Sequence, residues 1–499
     1  MRATKKRRGP RTKPATLCAR LGGHVTLETR AGGEIFARFH GYAVGLGTFT
    51  PSAAGRAQRL RAGLPLGSFA SGRRRTDREI DVLVRRLARR GLIEYCLCRG
   101  DDKDLIVLEP QVADYWPRIA PLGNSDALVL SRFAYMRRRG HDLVLESPRA
   151  GVLVRICDPG ATAVLAKLST PQKIKQLRQQ NDFPGIEFLA LLVDCEILFK
   201  LDVATDDNLR AAEGDANLAL WDFHDLLFHS RSTEGRHANP LGGTYPHAGT
   251  IAPLPAIRPP WPGKKIDLRK LAAAPADDVS RVITLLRQRR STRSFDDKRP
   301  ITLTELAQFL DGTARILSHA TSPADPGDGI PALAYTVRPY PSAGASYELE
   351  LYLAVKNCEG LASGFYHYDA GEHALTLIGV TDNALQALIT GAQYAMGAGE
   401  TPQLVITIAA RFGRVSWKYS SLAYSLILKD VGVLLQTFYI MATAMGLGGC
   451  AIGIANIDLF AKMTGIDVHV EGPLGQFALG RGAESAAPSP DAQAGHNET

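Results

Sequence analysis

Arg289-Arg-Ser-Thr-Arg-Ser-Phe295 stands at the exit of a helix read over 279–290, and how it is read decides the C-terminal half of the chain. In an extended segment alternate side chains share a side, so the R-x-S-x-R spacing puts Arg289, Ser291 and Arg293 together, two guanidinium forks flanking a hydroxyl. That trio suits a phosphate monoester, although basic residues at a helix end also satisfy carbonyls and the helix dipole. Outward from it, Arg338-Pro-Tyr-Pro-Ser-Ala-Gly-Ala-Ser346 is a turn of small side chains that lets backbone approach a flat ligand closely. A third motif, Gly446-Leu-Gly-Gly-Cys-Ala-Ile-Gly453, follows a long apolar helix. It lacks the G-x-G-x-x-G order and a preceding strand, so a dinucleotide fold is not indicated; a helix C-cap is its plain structural reading.

Around these motifs the pattern predicts one α+β domain over 266–482. Helices are expected at 279–290, 304–310 and 420–445, and strands at 348–355, 364–368, 375–379 and 403–410. No charged residue occurs from Val431 to Ile457, a stretch long enough to span a bilayer. Gln436, Asn456 and the glycines at 446, 448 and 449 divide it into a helix, a turn and a short β-like run over 450–454, so a buried core helix is expected and no membrane.

The N-terminal half carries an internal repeat. Val25 to Phe39 is echoed by Val144 to Ile156, with Leu27-Glu28 and Leu145-Glu146 offset by 118 residues, each a strand pair around a turn. A helix follows in each copy. Ile80, Leu83, Val84 and Leu87 share one face of a helix that stops at Gly91, and Ile186, Leu189, Ala190 and Val193 repeat the pattern. Each helix runs into a short apolar strand, so two tandem winged-helix-like units are expected, at 15–118 and 119–202. Arg73, Arg74, Arg75, Arg78, Arg85, Arg86, Arg89 and Arg90 give the first a basic face. Interleaved Asp77, Glu79 and Asp81, and the weakly charged second copy, argue for a solvated face or peptide docking over DNA. Residues 203–265 read as a linker with one packed helix around Trp221–His229, whose two histidines are expected to be structural rather than metal ligands.

Composition bounds the rest. At 499 residues, several cores are expected, and 45% hydrophobic with 22% charged residues is globular. The formal charge of +9 is concentrated in residues 1–14, which hold seven Lys and Arg and no acid. That tail and the Ala/Pro/Ser-rich end at 483–499 read as disordered, and no apolar h-region follows the basic stretch as a secretory signal would require. Seven scattered cysteines, the closest pair being C-x-C, suggest neither a zinc cage nor a disulfide framework, so no metal is expected and a reducing cytoplasm fits.

Taken in order and spacing, the three motifs resemble the SagB/ThcOx-type dehydrogenases, an FMN-dependent branch of the nitroreductase superfamily that includes the azoline oxidases of thiazole/oxazole-modified peptide biosynthesis. Leu130-Ser-Arg-Phe-Ala-Tyr-Met136, Leu143-Val-Leu-Glu-Ser-Pro-Arg149, Trp221-Asp-Phe-His-Asp-Leu-Leu-Phe-His229 and Gly242-Gly-Thr-Tyr245 look like signatures of the same family, extending the resemblance over about 15–482. It implies a nitroreductase-like FMN domain preceded by two peptide-clamp units. Arg289, Ser291 and Arg293 would meet the FMN phosphate and ribityl chain, and Arg481 would add a late phosphate contact. Pro341, Ser342, Gly344 and Ala345 would reach the flavin of a partner subunit; Ala451, Ile452 and Gly453 would lie beside flavin N5. The family commonly has Pro at the position of Ala451 and Gly at that of Ile454.

A Lys-Tyr dyad before the long helix matches Lys418 and Tyr419, followed by Tyr424 and Asp430. Making an azole from an azoline removes a proton from one ring carbon and a hydride from the other. A positive charge beside a phenol favours phenolate, so Tyr419 would serve as base with Lys418 tuning it. The implied protein is a homodimeric, cytoplasmic azoline oxidase with oxygen the expected final acceptor. Its N-terminal units would hold the leader of a precursor peptide, with a cyclodehydratase as a possible partner and no nucleic acid. The alternatives are a small-molecule flavin reductase using NAD(P)H and a flavin-containing DNA-binding regulator.

Overall fold

Alternation organises the N-terminal half. Along the strand Ala15–Leu21, Leu17, Ala19 and Leu21 enter the main hydrophobic core while Cys18 joins a separate small cluster on the opposite face. The strand pairs antiparallel with Ile93–Arg99, and the sheet continues through Lys103–Pro110, Val152–Ile156 and Asp142–Glu146 to Tyr135–Arg139. The helix Arg75–Ala88 buries Ile80, Leu83, Val84 and Leu87 as its spacing predicts, and Gly91 follows at φ 65°. The computed structural model describes residues 15–70, 72–100, 103–180, 183–201, 213, 216–238, 277–321, 323, 334–419 and 422–483. The expected tails at 1–14 and from 484 on, most of the 203–265 linker, and Gly242-Gly-Thr-Tyr245 lie outside these residues. Two units are distinguished, one running to Arg231 and including 236–238, the other 232–235 with 239–499.

The repeat appears as a repeated order of elements. Helix Pro51–Ala57, short strand Leu64–Pro65, helix Arg75–Ala88 and strand Ile93–Arg99 are matched by Pro159–Lys167, Gln172–Lys173, Ile186–Asp194 and Leu198–Leu201. In each copy the short and the last strand flank the copy's first strand, Ala15–Leu21 or Ala127–Leu130, antiparallel. The echoed strand pairs, however, go different ways. Thr26–Thr29 and Glu34–Phe39 form a separate sheet with Tyr42–Thr48, whereas Asp142–Glu146 and Val152–Ile156 extend the first copy's sheet. One hydrophobic core runs from Leu17 to Leu198, so the copies share both sheet and core instead of folding side by side.

Packing of this unit also continues past residue 202. Glu213 accepts from the Ser131 hydroxyl at 2.9 Å and pairs with Arg149 at 3.3 Å, while Trp221 is buried and stacks on His229 of the helix Phe223–Ser232. Among the described residues, three of the eight arginines of the basic face are held in ion pairs. Arg75 pairs with Glu79 and Arg85 with Asp81 at 2.9 Å each, Arg89 with Asp114 at 3.1 Å, and Arg85 lies 4.2 Å over Trp116.

The C-terminal unit is built on a six-stranded antiparallel sheet. Its spatial order is Ala374–Ile378, Gly364–Asp369, Leu349–Val355, Leu404–Arg411, Glu471–Gly480 and Gly448–Ile452. Tyr352, Val405 and Ala478 face a core shared with Leu388, Ile389 and Phe460, from the helices Asp382–Met396 and Ile457–Thr464. On the other face Phe477 packs 6.4 Å from Phe309 of the helix Leu303–Ala314 and 5.4 Å from Phe438 of the long helix Ala423–Ala444. That helix is the only one among the described residues long and apolar enough to cross a membrane. Ala423, Tyr424, Ile427, Asp430, Val431, Leu434, Phe438 and Ala442 form its buried stripe, at the three- and four-residue spacing of a helix laid on a sheet.

Candidate functional site

The Pro341–Tyr347 loop is held in a conformation that needs support. Ser342 is extended, after which Gly344, Ala345 and Tyr347 take φ of 56°, 54° and 44°. Glycine adopts this region freely; for alanine and tyrosine it costs roughly 1 kcal/mol or more each. Asp430, on the buried face of the long helix, supplies the anchor. It accepts from the Ser342 hydroxyl and from the Ala343 N–H, both at 2.9 Å, while the same hydroxyl accepts from the Tyr347 N–H at 2.9 Å.

Glu348 completes this anchor. The Ser342 hydroxyl also lies within donor reach of Glu348 Oε2 at 3.2 Å, so the Glu348 and Asp430 carboxyls compete for its single proton. Burial and the neighbouring Asp430 charge push the Glu348 carboxyl up to about 7. Its Oε1 is buried without a hydrogen-bond partner among the described residues, which a neutral carbonyl oxygen tolerates far better than a carboxylate.

Against this loop lies the Lys-Tyr dyad. The central strand Leu404–Arg411 runs into the short helix Gly413–Ser416, and the N–H groups of Lys418 and Tyr419 both bond back to the Val415 carbonyl, at 3.0 and 2.9 Å. Lys418 is exposed and Tyr419 half-buried, with Lys418 Nζ 5.5 Å from the centre of the Tyr419 ring. A Cβ placed on Gly344 would fall 2.5 Å from the Tyr419 hydroxyl and 2.8 Å from Lys418 Nζ, so the loop passes close to the polar ends of both side chains, which would have to shift for any other residue there.

A second group gathers at Tyr439, further along the same long helix. The Tyr439 hydroxyl lies 2.8 Å from Ser291 Oγ and accepts the Ala451 N–H at 2.9 Å, and Arg289 stacks over its ring at 5.0 Å. The Thr292 N–H donates to the Gly449 carbonyl at 2.8 Å, which ties the R-x-S-x-R segment to the strand Gly448–Ile452. That approach is close, because a Cβ on Gly448 would meet the Thr292 side chain at 2.6 Å. Among the described residues neither Arg289 nor Arg293 makes an ion pair, Arg293 is exposed, and Gly453 has open space where a side chain would point. Two guanidinium groups without an ion pair among the described residues, a hydroxyl and an open backbone segment fit a phosphorylated, flat cofactor.

Arg481 does not join this group through its side chain. Its guanidinium is held bidentately by Glu305 at 2.6 and 2.8 Å, the carboxylate that also caps the helix Leu303–Ala314. In this structure the Arg481 guanidinium is thus engaged in an ion pair, unlike Arg289 and Arg293. Sequence reasoning assigned no role to Glu348 or Tyr439 and noted Asp430 only as part of a family pattern. The acids Glu348 and Glu350 at the start of the otherwise apolar strand Leu349–Val355 were a readable signal for Glu348; a second tyrosine after Tyr424 in an apolar helix was none for Tyr439. Asp430 and Tyr439 are nine residues apart, which sets the two groups roughly 13 Å apart along the helix axis.

Two family matches cover much of the chain. Residues 128–238 match the cyanobactin oxidase ThcOx family and residues 286–481 the nitroreductase family, whose members typically bind flavin. A nitroreductase of Methanocaldococcus jannaschii is 28% identical over 169 residues, 34% of this chain and 76% of that protein. The microcin B17-processing protein McbC of Escherichia coli is 26% identical over 166 residues, 32% of this chain; the match spans 57% of McbC. Among solved structures, a chain of the E. coli microcin synthetase McbBCD complex with truncated pro-MccB17 bound aligns over 54% of this chain and 96% of its own length, at 19% identity and a TM-score of 0.37.

Proposed function

As a ThcOx-type oxidoreductase of the nitroreductase superfamily, this chain has the parts of a peptide-modifying oxidase, and we propose that it converts thiazolines or oxazolines in a ribosomally made peptide to azoles with bound FMN. The observation that carries the reading is the contact of Gly344 with Lys418 and Tyr419. A loop suited to a flat cofactor and a proton-handling dyad meet at one place. Arg289, Ser291 and Arg293 would hold the FMN phosphate and ribityl chain, with the backbone of Ala451–Gly453 beside the ring. When bound there, FMN supplies a two-electron acceptor. The Tyr419 side-chain oxygen takes the ring proton, and Lys418 Nζ, 5.5 Å from the centre of the Tyr419 ring, is the cation beside it. The hydride leaves from the neighbouring ring carbon, so the product is lighter by two hydrogens.

The winged-helix-like element order of the N-terminal unit supports a clamp for the leader of the precursor peptide. Ion pairs of Arg75, Arg85 and Arg89 with Glu79, Asp81 and Asp114 reduce the charge this face would offer DNA phosphates. A cyclodehydratase that makes the azoline is the partner this chemistry requires. A homodimer is supported by the helix Asp277–Gln288, which has no buried residue and exposes Val279, Val282 and Leu286 on one face. Light scattering of the holoprotein at micromolar concentration should give twice the chain mass; a monomer there would remove the partner-subunit role of Pro341–Ala345.

The direct test of the dyad is Tyr419→Phe. It should retain FMN and peptide yet lose turnover by about 10² to 10⁴, the usual range for a positioned acid or base. Wild-type turnover in this variant and in Lys418→Ala would leave a general flavin reductase as the better reading.

A further inference from the structure

Four of the chain's seven cysteines, Cys18, Cys96, Cys98 and Cys157, come together on the face of the N-terminal sheet opposite its main core. Cys18 and Cys96 are direct cross-strand partners between Ala15–Leu21 and Ile93–Arg99. A β-bulge at Leu97/Cys98 re-aims Cys98, which lies opposite Asp104 on the next strand. The donor atoms of Cys96, Cys98 and Asp104 all lie within 4.8 Å of one another, Cys98 Sγ is 3.2 Å from Asp104 Oδ1, and Cys18, directly across the strand pair from Cys96, packs in the same cluster.

We propose that Cys18, Cys96, Cys98 and Asp104 form a structural site for a thiophilic divalent cation, zinc by its chemistry, that ties three strands of the N-terminal sheet together. Three sulfurs and one oxygen are a closed tetrahedral donor set, and zinc–sulfur bonds of about 2.3 Å place ligand sulfurs about 3.8 Å apart, so small side-chain movements close the site. Asp104 is already oriented for it. Arg20 holds Asp104 Oδ2 at 2.9 Å and leaves Oδ1 toward the thiols, the second-layer contact that metal-ligating carboxylates usually have. Charge fits as well: three thiolates and a carboxylate around a divalent cation carry two net negative charges, and the Arg20 guanidinium lies against them. Cys157 packs on the same cluster and is half-buried, within the neighbourhood but outside the four-donor set. The linear sequence hides the site because its ligands come from three strands and its only short spacing is C-x-C, where both side chains fall on one side of a strand.

The test is metal analysis of the full chain, purified without added metal or chelator. About one zinc ion per chain is expected, with no dependence on flavin content. After chelation, titrating cobalt(II) into the wild-type chain should give a thiolate-to-cobalt charge-transfer band that saturates at about one equivalent, a readout that needs no variant to fold. Cys96→Ser and Cys98→Ser should each lose most of the zinc while still taking up FMN. Wild-type chain with less than about a tenth of an equivalent of zinc and no cobalt band would overturn the proposal. So would full zinc in Cys96→Ser, or a non-reduced denatured chain that titrates fewer than its seven thiols because two cysteines are paired.

Discussion

Replacing Gly344 with alanine isolates the contact on which the functional reading rests. The added Cβ would lie 2.5 Å from the Tyr419 hydroxyl and 2.8 Å from Lys418 Nζ, whereas ordinary contact begins near 3.4 Å. The phenol and ammonium must therefore retreat by about 1 Å, and both can, because each is the far end of a side chain beside a partly open site. Their retreat relieves the clash at little cost to folding, so the stability loss should be near that of alanine in the left-handed region, about 1 kcal/mol. Catalysis is less forgiving, since about 1 Å of misplacement at a reacting group costs on the order of 10² in rate. Steady-state kinetics on an azoline peptide, beside thermal unfolding and flavin occupancy, should show kcat down about a hundredfold with folding and flavin nearly unchanged. Turnover within about twofold of wild type, in a variant that keeps its flavin, would refute the idea that Gly344 positions the dyad.

Two further outcomes follow from the same geometry. The Glu348 carboxyl, raised from its ordinary 4.5 to about 7, binds its proton more tightly folded than unfolded, so stability falls as pH rises between those values and is level above them. Glu348→Gln should flatten that slope and leave the variant more stable than wild type above pH 7, by up to about 3 kcal/mol in chemical unfolding; parallel pH profiles would show that no proton is held there. Arg293→Ala removes a charge-assisted contact of roughly 1.5 to 3 kcal/mol, so FMN affinity by fluorescence titration should fall at least about tenfold, and an unchanged affinity would move the phosphate elsewhere.

Most of the core elements were legible where one periodicity governs. Ile80, Leu83, Val84 and Leu87 announce a helix because one of its faces meets solvent, and the strands Leu349–Val355 and Leu404–Arg411 stand out as apolar runs. The strand Glu471–Gly480 was not legible. It is buried along its whole length between two neighbours, so nothing alternates, and its glycines and proline read as a turn. The helix Asp382–Met396 carried readable end signals, the Thr381 cap and the left-handed Gly397, that outweigh its mixed composition. Lys418, Tyr419, Ser342 and Gly344 were singled out because they match short contiguous motifs of the family the chain resembles, and the fold brings Gly344 beside Lys418 and Tyr419. Tyr439 acts through partners distant in sequence, as do the cysteines of the N-terminal sheet, and Glu348 depends on a turn that folds Ser342 back onto it; pairing across strands is set by register, which residue spacing does not report.

Anaerobic mixing of the purified holoprotein with a leader-bearing thiazoline peptide tests most directly whether this chain oxidises azolines with bound flavin. The yellow flavin should bleach in a single turnover, the peptide should become lighter by two hydrogens, and admitting oxygen should restore the colour. Flavin that stays oxidised with such a peptide, yet is reduced by NAD(P)H alone, would contradict azoline oxidation.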